Sequence, residues 1–146
     1  MAATPWKVYN LAKRYLMDGT LDINAAAWRM ALFTSASNAA SPTLSAYNQI
    51  TNEVAEGNGY SSSGKALPGV VWSTGASAGE MKFTCSPFFW SANAGDIVNA
   101  KHAVVFDPAT GKVLCTSQLS GAQFTVTAGN RLTITPAATG IFYLRG

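Results

Sequence analysis

From Gly69 onward the sequence breaks into short runs rich in Val, Ile, Phe, Thr and Tyr, most of them bounded by Gly, Pro, Asn or Asp. Such runs are too short for several helical turns, and the clearest of them alternate apolar with polar residues, the period of a half-buried strand. Phe124-Thr125-Val126-Thr127 and Arg131-Leu132-Thr133-Ile134-Thr135 are the cleanest cases, and Ala128-Gly129-Asn130 between them predicts a hairpin turn. The spacing predicts strands over 69–73, 80–85, 88–91, 101–106, 113–118, 123–127, 131–135 and 141–144. Asp107-Pro108-Ala109-Thr110-Gly111 predicts a second hairpin turn, with Pro preset for the bend and Gly free to take positive φ in a bulge.

The first part of the chain reads differently. Thr4 and Pro5 have the chemistry of a helix N-cap and first helical position, and Val8, Leu11, Ala12 and Tyr15 then recur at helical spacing. Asp18-Gly19 ends that helix. Residues 27–34 place Trp28, Met30 and Leu32 on alternate positions, which predicts a central strand. Tyr47, Ile50 and Val54 share one helical face, so a second short helix is expected over 46–56, stopped by Gly57. Together these readings predict a mainly β chain: a β-sandwich or jelly roll of about eight strands with a short N-terminal helix and a second short helix. Residues 1–146 are expected to form a single domain, with 1–19 as a helical segment attached to it.

Composition sharpens the functional reading. Only 12% of the 146 residues are charged, about half of the usual ~25%, while 48% are hydrophobic. A surface so poor in charge is suited to lying against other protein. No apolar stretch approaches the ~18 residues of a membrane span. The first residues lack the apolar segment of a secretion signal, and two cysteines, Cys85 and Cys115, are too few for a disulfide scaffold, so both are expected reduced and buried. The net charge is +3, and among the ten cations only Lys13 and Arg14 are adjacent, so no basic run points to nucleic acid.

The search for chemistry is brief. His102 is the one histidine, and with no G-x-S-x-G elbow it reads as an ordinary strand residue. A lone His with two Cys on separate strands does not make a zinc set. Glu53 and Glu56 fall on the expected second helix, where neighbouring carboxylates are solvated rather than arranged across a sugar cleft. Asp18, Thr20 and Asp22 begin like a calcium loop without completing its pattern. No catalytic residue, cofactor or metal is therefore expected, and the chain is read as a non-enzyme.

Rings and cations remain. Phe88, Phe89 and Trp90 are consecutive, so on a strand at least one of them faces away from the other two. Trp6 and Tyr9 lie beside Lys7, Lys13 and Arg14 in the densest cationic stretch. Aromatic and Arg side chains are the types that anchor interfaces. The candidate protein-binding residues are therefore Trp6, Lys7, Tyr9, Lys13, Arg14, Phe88, Phe89 and Trp90.

Several segments taken in order carry a resemblance. Lys7-Val8-Tyr9-Asn10, Ala31-Leu32-Phe33-Thr34-Ser35, Thr51-Asn52-Glu53-Val54 with Gly57-Asn58-Gly59-Tyr60, and Ala103-Val104-Val105-Phe106 with its Asp107-to-Lys112 hairpin resemble a group of small virion proteins of tailed bacteriophages. That resemblance implies a β-sandwich on the particle and a capsid cement or decoration role. It also implies the major capsid protein as partner, a homo-oligomer with a dimer favoured over a trimer, assembly in the bacterial cytoplasm and residence on the capsid surface. Neither membrane nor direct nucleic-acid contact is expected. The alternative expectation is a tail-fibre or head-fibre binding domain holding host glycan or another virion protein.

Overall fold

A computed structural model describes residues 3–24, 26–75 and 77–144; residues 1 and 2 of the expected N-terminal segment lie outside them. The chain is mainly β. Its strands are β1 (Lys7–Val8), β2 (Arg29–Phe33), β3 (Lys65–Ala66), β4 (Val71–Thr74), β5 (Met81–Thr84), β6 (Phe88–Ser91), β7 (Ile97–Ala100), β8 (His102–Phe106), β9 (Val113–Gln118), β10 (Phe124–Val126), β11 (Arg131–Ile134) and β12 (Phe142–Leu144). That is twelve among the described residues, where about eight were expected. All pair antiparallel, in a five-stranded sheet ordered β1-β9-β8-β2-β3, a three-stranded sheet β12-β5-β4 and the pairs β10-β7 and β11-β6.

The large sheet holds the centre. Met30, Ala31, Leu32 and Phe33 are all at most 1% exposed, and every residue of β8 is buried. Both faces of these strands are covered, which explains why their sequences are continuous apolar runs rather than alternating ones. Trp28, just before β2, sends its indole N–H to the Ile23 carbonyl at 3.1 Å and meets Phe83 edge-on, with ring centroids 6.0 Å apart.

The β8–β9 hairpin follows its sequence signal. Asp107 accepts from the Ala109 N–H at 3.1 Å and the Thr110 hydroxyl at 2.9 Å, and Gly111 takes φ +73°. The register shifts between Val105 and Phe106, as the bulge required.

Three local expectations are corrected. The N-terminal helix, α1 (Asn10–Asp18), does not begin at Thr4-Pro5. There the Thr4 N–H donates to the Gln118 carbonyl at 2.8 Å and the Thr4 hydroxyl accepts from the Gln118 N–H at 3.1 Å, so β9 captures the capping chemistry and the chain stays extended through Val8. Gly19, at φ +83°, does end the helix. The second helix is replaced by one 3-10 turn, Tyr47–Gln49. Beyond it, the Val54 N–H donates to the Leu32 carbonyl and the Asn52 carbonyl accepts from the Thr34 N–H, both at 2.9 Å, so β2 takes the backbone groups that a helix would have used. Gly57 sits in the tight Gly57–Tyr60 turn instead of capping a helix. Finally, β10 and β11 do not pair as a hairpin. The turn between them is held by the 92–96 segment: Ala92 exchanges backbone bonds with Gly129 and Asn130, and Asp96 accepts from the Ala128 N–H at 2.8 Å. Each strand then leaves for a different partner.

Both thiols are free and buried, Cys85 at 7% and Cys115 at 0% exposure. Burial pushes the Cys85 thiol up to about 11 and Cys115 well above its ordinary value. Neither is expected to react with a water-soluble disulfide reagent in the native chain, whereas both should react in denaturant. Prompt labelling of Cys115 without denaturant would contradict its placement.

Candidate functional site

The structure separates the candidate residues into core and surface. Tyr9 is 1% exposed and its hydroxyl donates to the Ala39 carbonyl, while Phe88 and Trp90 are 7% and 2% exposed. These three rings belong to the chain's own core, so the expectation that they form a docking surface is corrected. Phe89 points outward at 40% exposure, as the consecutive rings required. Its face is already occupied: the Arg131 guanidinium lies 4.6 Å and the Lys65 ammonium 5.3 Å from its ring centre. Arg14 faces solvent and lies 3.8 Å from Asp18 one turn along the helix, a contact of small energetic weight.

Trp6, Lys7 and Lys13 come together elsewhere. They line an open groove of about 1110 Å³ that runs between the N-terminal segment and the far end of the chain. One wall is Ala3 to Val8 with Leu16 and Met17 of α1, and the other is 134–137 with 139–144. Met17 is 80% exposed and Leu144 47%, so large apolar side chains stand at the rim. Lys7 and Lys13 are the charged residues of the lining, and no Asp or Glu is among them. The N-terminal half of this groove was within reach of sequence reasoning. Its C-terminal wall was not, because nothing local ties Pro136 or Leu144 to Trp6.

The N-terminal segment itself is not detachable. Tyr9 and Ala12 are in the core, and β1 extends the central sheet through Lys7↔Thr116 and Val8↔Cys115. A chain lacking residues 2–16 is expected to unfold or aggregate, read by circular dichroism and light scattering; a folded truncation with an unchanged melting temperature would contradict this.

Glu53 is half-buried and accepts from the Tyr47 hydroxyl, from the Tyr60 hydroxyl at 2.7 Å and from the Ser63 N–H at 2.8 Å. Tyr60 in turn accepts from the Leu32 N–H at 2.9 Å, so the carboxylate ties the irregular 47–63 segment to β2. Burial, opposed in part by that backbone bond, holds Tyr60 far above its ordinary value. Glu56 lies apart and accepts from the Ser62 N–H at 3.2 Å. Among the described residues no group of three His, Cys, Asp or Glu side chains is placed to hold a metal ion.

His102 is buried at the start of β8, and burial followed by the neighbouring Lys101 charge lowers its proton affinity. The unfolded chain therefore binds this proton more readily than the folded one. Stability from this residue is present above the ordinary value of about 6.5 and declines as pH falls through the depressed folded value. The melting temperature is expected to drop as pH falls from about 6.5 toward that depressed value, and His102→Gln should flatten the drop. An equal drop in the variant would assign it to other groups.

Comparison with protein-family models, with curated proteins and with solved structures finds no match to this chain.

Proposed function

We propose that the chain is a structural virion protein that cements or decorates a phage capsid by bridging shell subunits. The observation that carries this reading is the apolar groove between the N-terminal segment and the C-terminal strand, rimmed by Met17 and Leu144. Exposed apolar surface of this kind is what a protein partner covers. The charge-poor composition supports it further, as does the resemblance of several short segments to small virion proteins.

In this reading the partner is the major capsid protein, the site of residence is the capsid surface and assembly takes place in the host cytoplasm. The sheets stack as a sandwich, and the chain acts as a homo-oligomer, a dimer in the first instance, so that one assembly grips two shell subunits. Two modest contacts held in one molecule release only when both open together, which makes a seam far more stable than either contact alone. No catalytic step is part of the proposal.

A second reading, a fibre domain that holds host glycan, draws on Trp6, which is half-buried at the groove and offers a ring to a sugar face. Copy number decides between them. Quantitative mass spectrometry of purified particles of the phage encoding the chain should find it in numbers comparable to the major shell protein. A few tens of copies at most would favour the fibre reading, and its absence from particles would remove both.

A further inference from the structure

The groove has a second property that its apolar lining does not explain: it lies between two sheet edges. β1 ends the five-stranded sheet and β12 ends the three-stranded one, and both line the groove. On β1, the Tyr9 N–H donates to the Leu114 carbonyl at 3.0 Å, opposite the next residue pair Val8↔Cys115. Antiparallel ladders alternate between pairs that exchange backbone bonds and pairs that do not. The N–H and C=O of Val8 are therefore turned away from β9, to the open side of the sheet. Native proteins seldom leave such an edge beside exposed apolar side chains without a partner.

Charge chooses the occupant. Lys7 and Lys13 supply the groove's charge, and the carboxylate of α1, Asp18, is engaged by the Thr20 N–H and hydroxyl at 2.9 and 2.6 Å. A second copy would bring a groove of the same positive sign and the same net charge of +3. We infer that the groove binds an extended, apolar segment of a different protein that carries acidic residues, by adding it as a strand to an open sheet edge beside Lys7 and Lys13. Backbone bonds to Val8 supply register, side chains on one face of the added strand fill the space between Trp6 and Leu144, and carboxylates meet the two lysines. This inference rests on reading the groove as a protein-docking surface.

A displayed library of random peptides of about ten residues, enough to span a strand of typical length, tests it on the full chain. Selected peptides are expected to alternate apolar with polar positions and to be enriched in Asp and Glu. Their affinity should fall at least about tenfold in the Lys7→Glu, Lys13→Glu double variant and in Leu144→Lys, but not in Lys101→Glu, with all variants checked for an unchanged melting curve. If Leu144→Lys fails that check, Met17→Glu, at a more exposed rim position, replaces it. Amide exchange by NMR should show the Val8 N–H protected only when peptide is bound.

Enrichment of basic peptides, or no enrichment, overturns the inference. So does binding that leaves Val8 unprotected. Sedimentation showing a dimer dissolved by the same groove substitutions would assign the groove to a second copy and overturn it as well. These failures leave the particle copy number untouched, and absence of the chain from particles leaves the peptide result standing, so the two readings fail separately.

Discussion

Gly64→Ala is expected to leave most of the chain unfolded at temperatures where the parent is native. Gly64 is buried at φ +68°, and a Cβ there would collide with the Met30 carbonyl oxygen and lie 2.7 Å from the Ala31 Cα. Those atoms belong to the central strand, which is held on both sides and cannot retreat. The left-handed backbone costs an L-residue about 1–2 kcal/mol. Overpacking adds roughly 1–3 kcal/mol when the neighbours can yield, and backbone yields least. Against a total stability on the order of 5–15 kcal/mol, this one methyl removes a large share. Gly121→Ala is the control, since its φ is not positive and nothing lies within 4 Å of an added Cβ. Urea titration should show a much lower midpoint for the first variant and a shift within about 0.5 kcal/mol for the second. Equal midpoints would mean that the 61–64 turn does not pack on β2 as described.

Trp28→Ala is expected to cost about 3–5 kcal/mol, the range for losing a buried ring. Trp28 is 1% exposed, packs on Phe83 and satisfies the Ile23 carbonyl with its indole N–H. Truncation leaves a cavity against a centre that is buried on both faces, where relaxation is least. A variant that melts within a degree or two of the parent would place the ring on the surface and free it for binding.

What could be read ahead of the structure follows a physical divide. Strands β6 and β9 matched their expected bounds residue for residue, and the Asp107 turn formed as its chemistry required. In those places the signal is local: side-chain period, turn residues and positive-φ glycine. β1 and β3 are two residues long and carry no period at all. β7 escaped because Asn99 takes φ +64° inside it, and its exposed middle pair breaks the alternation. At Tyr47, Ile50 and Val54 a true helical spacing lost to backbone bonds offered by β2, a tertiary term that local pattern does not contain. The same divide splits the candidate site. Trp6, Lys7 and Lys13 were found as ring-and-cation neighbours in sequence, whereas Pro136 and Leu144 join them only through the fold. Tyr9, Phe88 and Trp90 were misplaced because residue type alone does not tell an interface anchor from a core ring.

The pairing of β1 with β9 also sets a timetable. Thr4 and Gln118 bond across a separation of 114 residues, so β1, the outer strand on that side of the central sheet, has no partner until β9 has left the ribosome. Until then Val8 and Tyr9 have no β9 to lie against, and β8 shows an unpaired apolar edge. Such non-local closure is slow, and the waiting chain is open to self-association. Synonymous codon changes that slow translation just after residue 106 should therefore lower the soluble yield, without altering one atom of the finished protein.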